Sequence, residues 1–378
     1  MRNIDRFRGC LAGGAVGDAL GYAVEFSSES EIFGLYGPEG ITEYALRRGV
    51  AEISDDTQMT MFTATGLLLG TTRGMLRGIM AGYEDYIRLS CRDWYRTQTE
   101  RFPLPEDYHY SWLVNVPELF SRRAPGNTCM SALRSGEEAS IAHPINHSKG
   151  CGGVMRVAPI GLYFTNNRMS MESSDRLGAE AAAITHGHPL GWLPAAALSH
   201  IVRYLIEQDG APILAAVQDA IKALPGVFPD AAHVGDMQRL LQRAIDLSAS
   251  GLRDLDAIHQ LGEGWVGDEA LAIAVFCALR HADCFADAVV AAVNHRGDSD
   301  STGAITGNIM GAALGLAAIP RKYLEHLELK DVLLELADDL FHDCRMAEYD
   351  DYRDPVWEAK YVRMDYPGRQ TDSRRDDL

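Results

Sequence analysis

Apolar positions recur at helical spacing along most of this chain, and small residues recur with them. In residues 4–24, Ile4, Phe7, Leu11, Val16 and Leu20 lie near one face, while Gly9, Gly13, Gly17 and Gly21 return every four residues on another. A glycine inside a helix costs about 1 kcal/mol relative to alanine. Four of them need an offset, and close approach of a second backbone is the simplest. Residues 303–318 carry the same device at Gly303, Gly307, Gly311 and Gly315. The two stripes predict a deep central helix pair, the arrangement that small-residue stripes mark in membranes.

The rest of the pattern fills in around that pair. Residues 25–53, punctuated by Gly34, Gly37, Pro38 and Gly40, read as irregular. Ser54 reads as the N-cap of a helix with Asp55 and Asp56 in its first turn, running to about Leu69. Residues 71–127 are aromatic (Tyr83, Tyr86, Trp94, Tyr95, Trp112) and interrupted by Pro103 and Pro105. They read as helical with a long loop, a possible surface insertion. A short helix is expected over 128–139, and a glycine-rich turn at 148–153 enters another that runs past Pro159. Further helices are expected over 175–186, 191–208, 212–223, 235–249, 268–282, 284–294, 300–318 and 330–344. Strand-like alternation of Val, Ile and Thr is scarce. The expectation is an all-α fold, a compact domain of about a dozen orthogonally packed helices over 1–366, followed by a charged, disordered tail over 367–378.

Composition narrows the function classes. Hydrophobic residues make up 47% of the 378 and charged residues 23%, enough for a large core. The net charge of −18, from 35 basic and 53 acidic residues with no basic run longer than a pair, argues against nucleic acid as a direct partner. Seven scattered cysteines without a CxxC pair fit unpaired thiols in a reducing cytoplasm and give no zinc signature. No signal peptide opens the sequence, and the longest weakly polar run, 304–320, is shorter than a membrane span. A soluble cytoplasmic protein with no membrane partner is expected.

Two clusters carry candidate chemistry. Asp298 and Asp300 alternate with Ser299 and Ser301 at the start of the second glycine stripe, and Ser54-Asp55-Asp56-Thr57 forms a similar group far upstream. Each is either a helix cap or half of a site for a hard cation, which takes carboxylate and hydroxyl oxygens. Several carboxylates at one locus repel unless a cation neutralises them. Spacing alone leaves both readings standing. The run Asn146 to Arg156 is either a tight turn or a phosphate cradle in which Lys149 or Arg156 adds charge; it is not a Walker loop. His186 and His188 end a helix, where the dipole favours a positive imidazole. Cys151 reads as a small packed thiol. Asp18 and Glu25 flank Gly21; one reads as an ion-pair partner, and Glu25 is placed to reach a site.

Six segments, in order, match a known pattern: residues 9–21 with Glu25, Ser54-Asp55-Asp56-Thr57, residues 150–156, Thr185-His186, residues 264–271, and Gly297-Asp298-Ser299-Asp300-Ser301. From Arg8 to about Leu316 the chain resembles the ADP-ribosylglycohydrolase family, which includes the dinitrogenase reductase-activating glycohydrolase and the ADP-ribosyl-arginine and ADP-ribosyl-serine hydrolases. The resemblance implies an all-α fold around a binuclear Mg²⁺ centre (Mn²⁺ in some members) held by Ser54, Asp55, Asp56, Asp298, Asp300 and Ser301. It implies catalytic roles for Asp55, Asp56 and Glu25, the last as a mobile gating glutamate. Ser148, Lys149, Gly150, Cys151, Gly152 and Gly153 match the loop that holds the ADP-ribose phosphates, and His186 a residue contacting the distal ribose. Ser301 stands where relatives often have Thr, and Cys151 where Asn is common. The implied activity is cleavage of ADP-ribose from a modified protein side chain, arginine foremost. The alternatives are an immunity-type protein that counters or occludes an ADP-ribosyltransferase toxin, with 71–127 as the occluding extension, and a non-catalytic structural relative. The intact acidic clusters count against the last.

Overall fold

The computed structural model describes residues 2–105, 108–164, 169–344, 346–347 and 353–368. Within them lie seventeen α-helices and no strand. The first half holds α1 (Ile4–Gly21), α2 (Glu29–Tyr36), α3 (Asp55–Arg77), α4 (Tyr83–Thr99), α5 (Asn127–Ser135), α6 (Ala158–Tyr163), α7 (Met171–Ala183) and α8 (Pro189–Glu207). The second holds α9 (Ile213–Val227), α10 (Val234–Ser248), α11 (Asp254–Ile258), α12 (Gly267–Arg280), α13 (Phe285–Val293), α14 (Ser299–Leu314), α15 (Arg321–Glu325), α16 (Lys330–His342) and α17 (Pro355–Glu358). The all-α expectation holds.

The predicted glycine pair is the centre of the fold. Helices α1 and α14 run antiparallel with Gly9, Gly13 and Gly17 against Gly311, Gly307 and Gly303. A Cβ on Gly17 would fall on the Gly303 carbonyl, and one on Gly21 on the Ser299 carbonyl. Only glycine permits that approach, which offsets its poor helix propensity. Between the two helices the Asn308 side-chain amide donates to the Cys10 carbonyl at 2.8 Å. The consequence is positional: the end of α1 and the start of α14 are held together, so residues following Gly21 meet residues around Asp300.

Several local readings change. Residues 25–53 are not wholly irregular, because Ser28 and Glu31 form a reciprocal capping box that starts α2. Helix α3 continues past Leu69, since Thr71 and Thr72 are still buried against the core, and it stops only at Gly78 in the left-handed conformation (φ 68°). The helix expected over 128–139 ends at Ser135, before Gly136 (φ 72°). Helices α11, α15 and α17, of four or five residues, are too short for their periodicity to register.

Residues 71–127 contribute the end of α3, all of α4, and 3-10 turns at Trp112–Asn115 and Pro117–Phe120. Trp94 and Trp112 are fully buried, and Trp94 Nε1 donates to Gln58 Oε1 on α3 at 3.1 Å. At the C-terminal side, Lys360 is buried with its ammonium 2.8 Å from Glu335 and 2.7 Å from Asp339, which docks the end of the chain on α16. Of the expected charged tail, residues 369–378 lie outside the described residues. Among the described residues no helix is long and apolar enough to cross a membrane.

Candidate active site

The first acidic cluster is built by α1 acting on α3. Ser54 caps α3 and accepts from the Asp56 N–H at 3.3 Å. Asp18, fully buried on α1, accepts from the N–H of Ser54 at 2.9 Å and of Thr57 at 3.1 Å, and from the Thr57 hydroxyl. Among the described residues it makes no ion pair, which does not support the expected ion-pair role. It aims the first turn of α3 instead. Asp55 Oδ2 accepts from the Gly126 N–H at 3.2 Å.

The second cluster is built by the turn before α14. The Asp298 N–H donates to the Glu263 carbonyl at 2.9 Å, and Gly297 (φ 129°) lets the two backbones touch where a side chain would collide. Asp300 Oδ1 accepts from the Ser301 N–H at 2.9 Å. Asp298 occupies the N-cap position of α14 yet makes no side-chain capping bond. Helix capping therefore accounts for Ser54 but not for Asp298.

The structure brings the clusters together. A cavity of about 430 Å³ is lined by Glu25, Asp55, Asp56, Asp298, Asp300 and Ser301 among others. Carboxylate oxygens of Glu25, Asp298 and Asp300 all lie within 4.8 Å of one another. Ser54 is fully buried behind this wall, its hydroxyl donating to Asp56 Oδ2 at 3.4 Å. Among the described residues no Lys, Arg or His pairs with any of these carboxylates. Burial first, and then the charges of Asp300, Asp298, Asp55 and Asp18, push Glu25 up to about 10. Burial and the Asp300 charge hold Asp55, Asp56 and Asp298 well above the usual carboxylate range and raise Asp18 to about 7. Glu25 Oε2 and Asp56 Oδ1 are buried without a hydrogen-bond partner. Orphaned buried acceptors among close carboxylates fit a hard cation, which removes both the repulsion and the unmet acceptors.

The glycine turn closes one side. Gly150, Cys151 and Gly152 line the cavity, and a Cβ on Gly152 would meet the Cys129 sulfur at 2.8 Å and the His186 ring at 3.0 Å. The structure does not put every expected loop residue on the wall. Ser148 bonds Thr128 through its hydroxyl at 3.1 Å, Lys149 Nζ lies 3.9 Å from Asp268, and Gly153 packs beneath the Gly191 carbonyl. His186 does line the cavity, but not as a cation: burial and the Arg156 guanidinium pull it down to about 3. These outweigh the helix-end dipole that favours a positive imidazole. Burial and the charges of Asp298 and Asp56 push the Cys151 thiol well up, which fits a packed thiol rather than a nucleophile.

The cavity mouth carries an aromatic pair. Phe26 and Trp265 stack with centroids 6.0 Å apart and planes at 20°, although they are 75% and 40% exposed. Nearby, Glu29 Oε1 lies 2.5 Å from His259 Nε2 and accepts from the Arg296 N–H at 3.4 Å. The segment bearing Glu25 is thus strapped over the site at both Phe26 and Glu29.

Residues 1–350 match the profile of the ADP-ribosylglycohydrolase family. The chain belongs to that family. Among curated proteins it is 26% identical to the ADP-ribosyl-[dinitrogen reductase] glycohydrolase of Rhodospirillum rubrum, covering 88% of this chain and 97% of that protein. It is 25% identical to an ADP-ribosylarginine hydrolase of Serratia proteamaculans (93% and 82% covered) and 22% identical to an ADP-ribosylhydrolase of Mus musculus (90% and 93%). A solved structure described as an ADP-ribosylglycohydrolase-related protein complex shares the fold, with TM-score 0.58 and 24% identity over 90% of this chain and 98% of that one. As an ADP-ribosylglycohydrolase the protein is a hydrolase of ADP-ribosyl linkages, and an acidic cluster able to hold a metal lies at its centre.

For this ADP-ribosylglycohydrolase the sequence reading offered Asp18 an ion-pair role in place of its clamp on α3, and it missed Trp265 and Phe26. Asp18 had a signal, a lone carboxylate inside a glycine-striped helix, where burial forces it to find donors. Trp265 sat in a matched segment without a role. Phe26 gave no signal, because its partner is distant in sequence.

Proposed function

We propose that this ADP-ribosylglycohydrolase is a divalent-metal-dependent enzyme that releases ADP-ribose from modified protein side chains, arginine foremost. One observation carries the reading: buried carboxylates from α3, α14 and the turn after α1 converge, and no Lys, Arg or His among the described residues pairs with them. Two Mg²⁺ or Mn²⁺ ions held by Ser54, Asp55, Asp56, Asp298, Asp300 and Ser301 would supply Lewis-acid polarisation and a template for the ribose hydroxyls. The chain's own residues do the rest. The packed carboxylates favour the positive charge of an oxocarbenium-like transition state. One of Asp55, Asp56 and Glu25 takes the proton of the attacking water. The Gly150–Gly152 backbone takes the ADP-ribose phosphates, and neutral His186 beside it contacts ribose without adding charge. Phe26 and Trp265 form an apolar lip that limits water entry.

The whole of 1–366 serves as one catalytic domain in this reading. Seven free cysteines support a cytoplasmic location. The protein partner is the ADP-ribosylated substrate, and a cognate ADP-ribosyltransferase is a further candidate, tested by whether a site-dead variant still protects cells from it. The activity is tested by release of ADP-ribose from arginine-, serine- and nucleic-acid-linked substrates, with the arginine linkage expected to be cleaved fastest. Cleavage confined to the serine linkage overturns the acceptor, and full turnover in excess chelator overturns the metal.

A further inference from the structure

The far end of α3 forms a second recess that catalysis leaves unused. It holds about 650 Å³ between the last turns of α3, the 78–82 turn, the start of α4 and the 108–110 segment. Leu69 and Leu89 line it, and Tyr86 stands at one side. Its rim is apolar and in water: Ile79 is 78% exposed and Tyr108 59%, with Met80 beside them. Large apolar side chains left together at the surface mark contact sites for other molecules.

Charge selects what fits. Arg73 and Arg77 lie one helical turn apart on this wall, and among the described residues neither pairs with a carboxylate. Arg73 reaches Tyr108 instead, bonding its hydroxyl with the guanidinium 5.9 Å from the ring centre. Like charges at this spacing disfavour a helix. The helix dipole accounts for Arg77 in the last turn but not for Arg73, the tyrosines or the apolar rim. In a chain of net charge −18, these two arginines, without a carboxylate partner among the described residues, place two positive charges on one wall.

We propose that this recess docks an acidic segment of a partner protein, with carboxylates on both sides of an aromatic or branched aliphatic residue. The apolar residue enters between Ile79, Tyr86 and Leu89, and the carboxylates pair with Arg73 and Arg77, whose forked donors suit them. A peptide fits better than a nucleotide, because the rim is apolar and Arg73 and Arg77 are the only charged side chains that line it among the described residues. Helix α3 separates them: its recess residues Leu69, Arg73 and Arg77 lie roughly 20–30 Å along the helix from Asp55 and Asp56 at the acidic cavity. The proposal is independent of the catalytic reading, and an occupied recess leaves the cavity open.

The test uses the full chain and a fluorescein-labelled peptide, Asp-Glu-Asp-Phe-Glu-Asp-Glu, followed by fluorescence polarisation. Saturable binding is expected that weakens as salt rises. The double variant Arg73→Glu/Arg77→Glu should weaken it tenfold or more, and Ile79→Ser several-fold, with circular dichroism and ADP-ribose release unchanged. Ile79 is mostly exposed, so that variant tests the site even if the arginine pair proves needed for folding. Binding unaffected by either variant, no saturable binding, or displacement of the peptide by ADP at equal concentration overturns the proposal.

Discussion

The buried carboxylates on α16 and those at the central cavity are held in opposite ways. On α16, Glu335 and Asp339 surround Lys360, with Tyr361 donating to Asp339 at 2.7 Å and Tyr366 to Glu335 at 2.8 Å. At the other, Glu25, Asp55, Asp56, Asp298 and Asp300 face one cavity, and among the described residues no Lys, Arg or His pairs with them. Removing a charge from water costs several kcal/mol unless a partner compensates. The Lys360 cluster carries its own compensation and joins the C-terminal segment to the core. The central cluster has none among the described residues, as the proposed cation site requires. Burial alone does not separate the two; the supply of positive charge does.

Breaking each cluster should produce opposite phenotypes. The largest effect is expected at the centre: Asp300→Ala or Asp56→Ala should lower kcat by about a thousandfold or more, the scale of losing a charge-stabilising group. Circular dichroism should show the fold intact, and the thermal shift on adding Mg²⁺ or Mn²⁺ should vanish. At the other cluster, Lys360→Met leaves two buried acids unpaired and should cost about 3–5 kcal/mol in urea unfolding, with kcat unchanged. Equal loss of activity in that variant would erase the distinction.

Smaller effects sharpen it. A divalent cation at a hundredfold its Kd should stabilise the wild type by about 2.7 kcal/mol, and Lys360→Met by the same amount. The metal-free protein should also respond to pH. Glu25 is raised from 4.5 to about 10 and Asp18 from 3.8 to about 7, so the folded state keeps protons that the unfolded chain has released. Stability from these groups is present in full below their unfolded values and is lost as pH rises, through about 7 for Asp18 and about 10 for Glu25. Thermal melts in chelator across that range should fall with pH, and Glu25→Gln should flatten the upper part. A wild-type profile that rises instead would mean the central acids are compensated by a group within the protein.

Some of this was legible before any coordinates. Glycine every fourth residue in two distant segments leaves few options beyond close helix pairing, since backbone contact is what offsets the lost propensity. Ser54 as a cap and Asp55 and Asp56 in the first turn follow from local hydrogen-bond needs at a helix start. The family pattern was legible because each of its six segments is a short contiguous run that can be matched without knowing what packs against it. The Ser28–Glu31 capping box was equally local and could have been read; the glycines and proline that follow it obscured it.

What the tertiary structure alone decided is where charge is buried and what faces it. The clamp of Asp18 on α3, the Phe26–Trp265 lip, the neutral His186 above Arg156 and the arginine recess beyond Thr72 each join residues that no local rule connects. Sequence determines helices and their small-residue faces, because sterics and hydrogen bonds act over a few residues. The state of Glu25 or His186 depends on the dielectric and the charges gathered around it, which come into being only when distant segments pack.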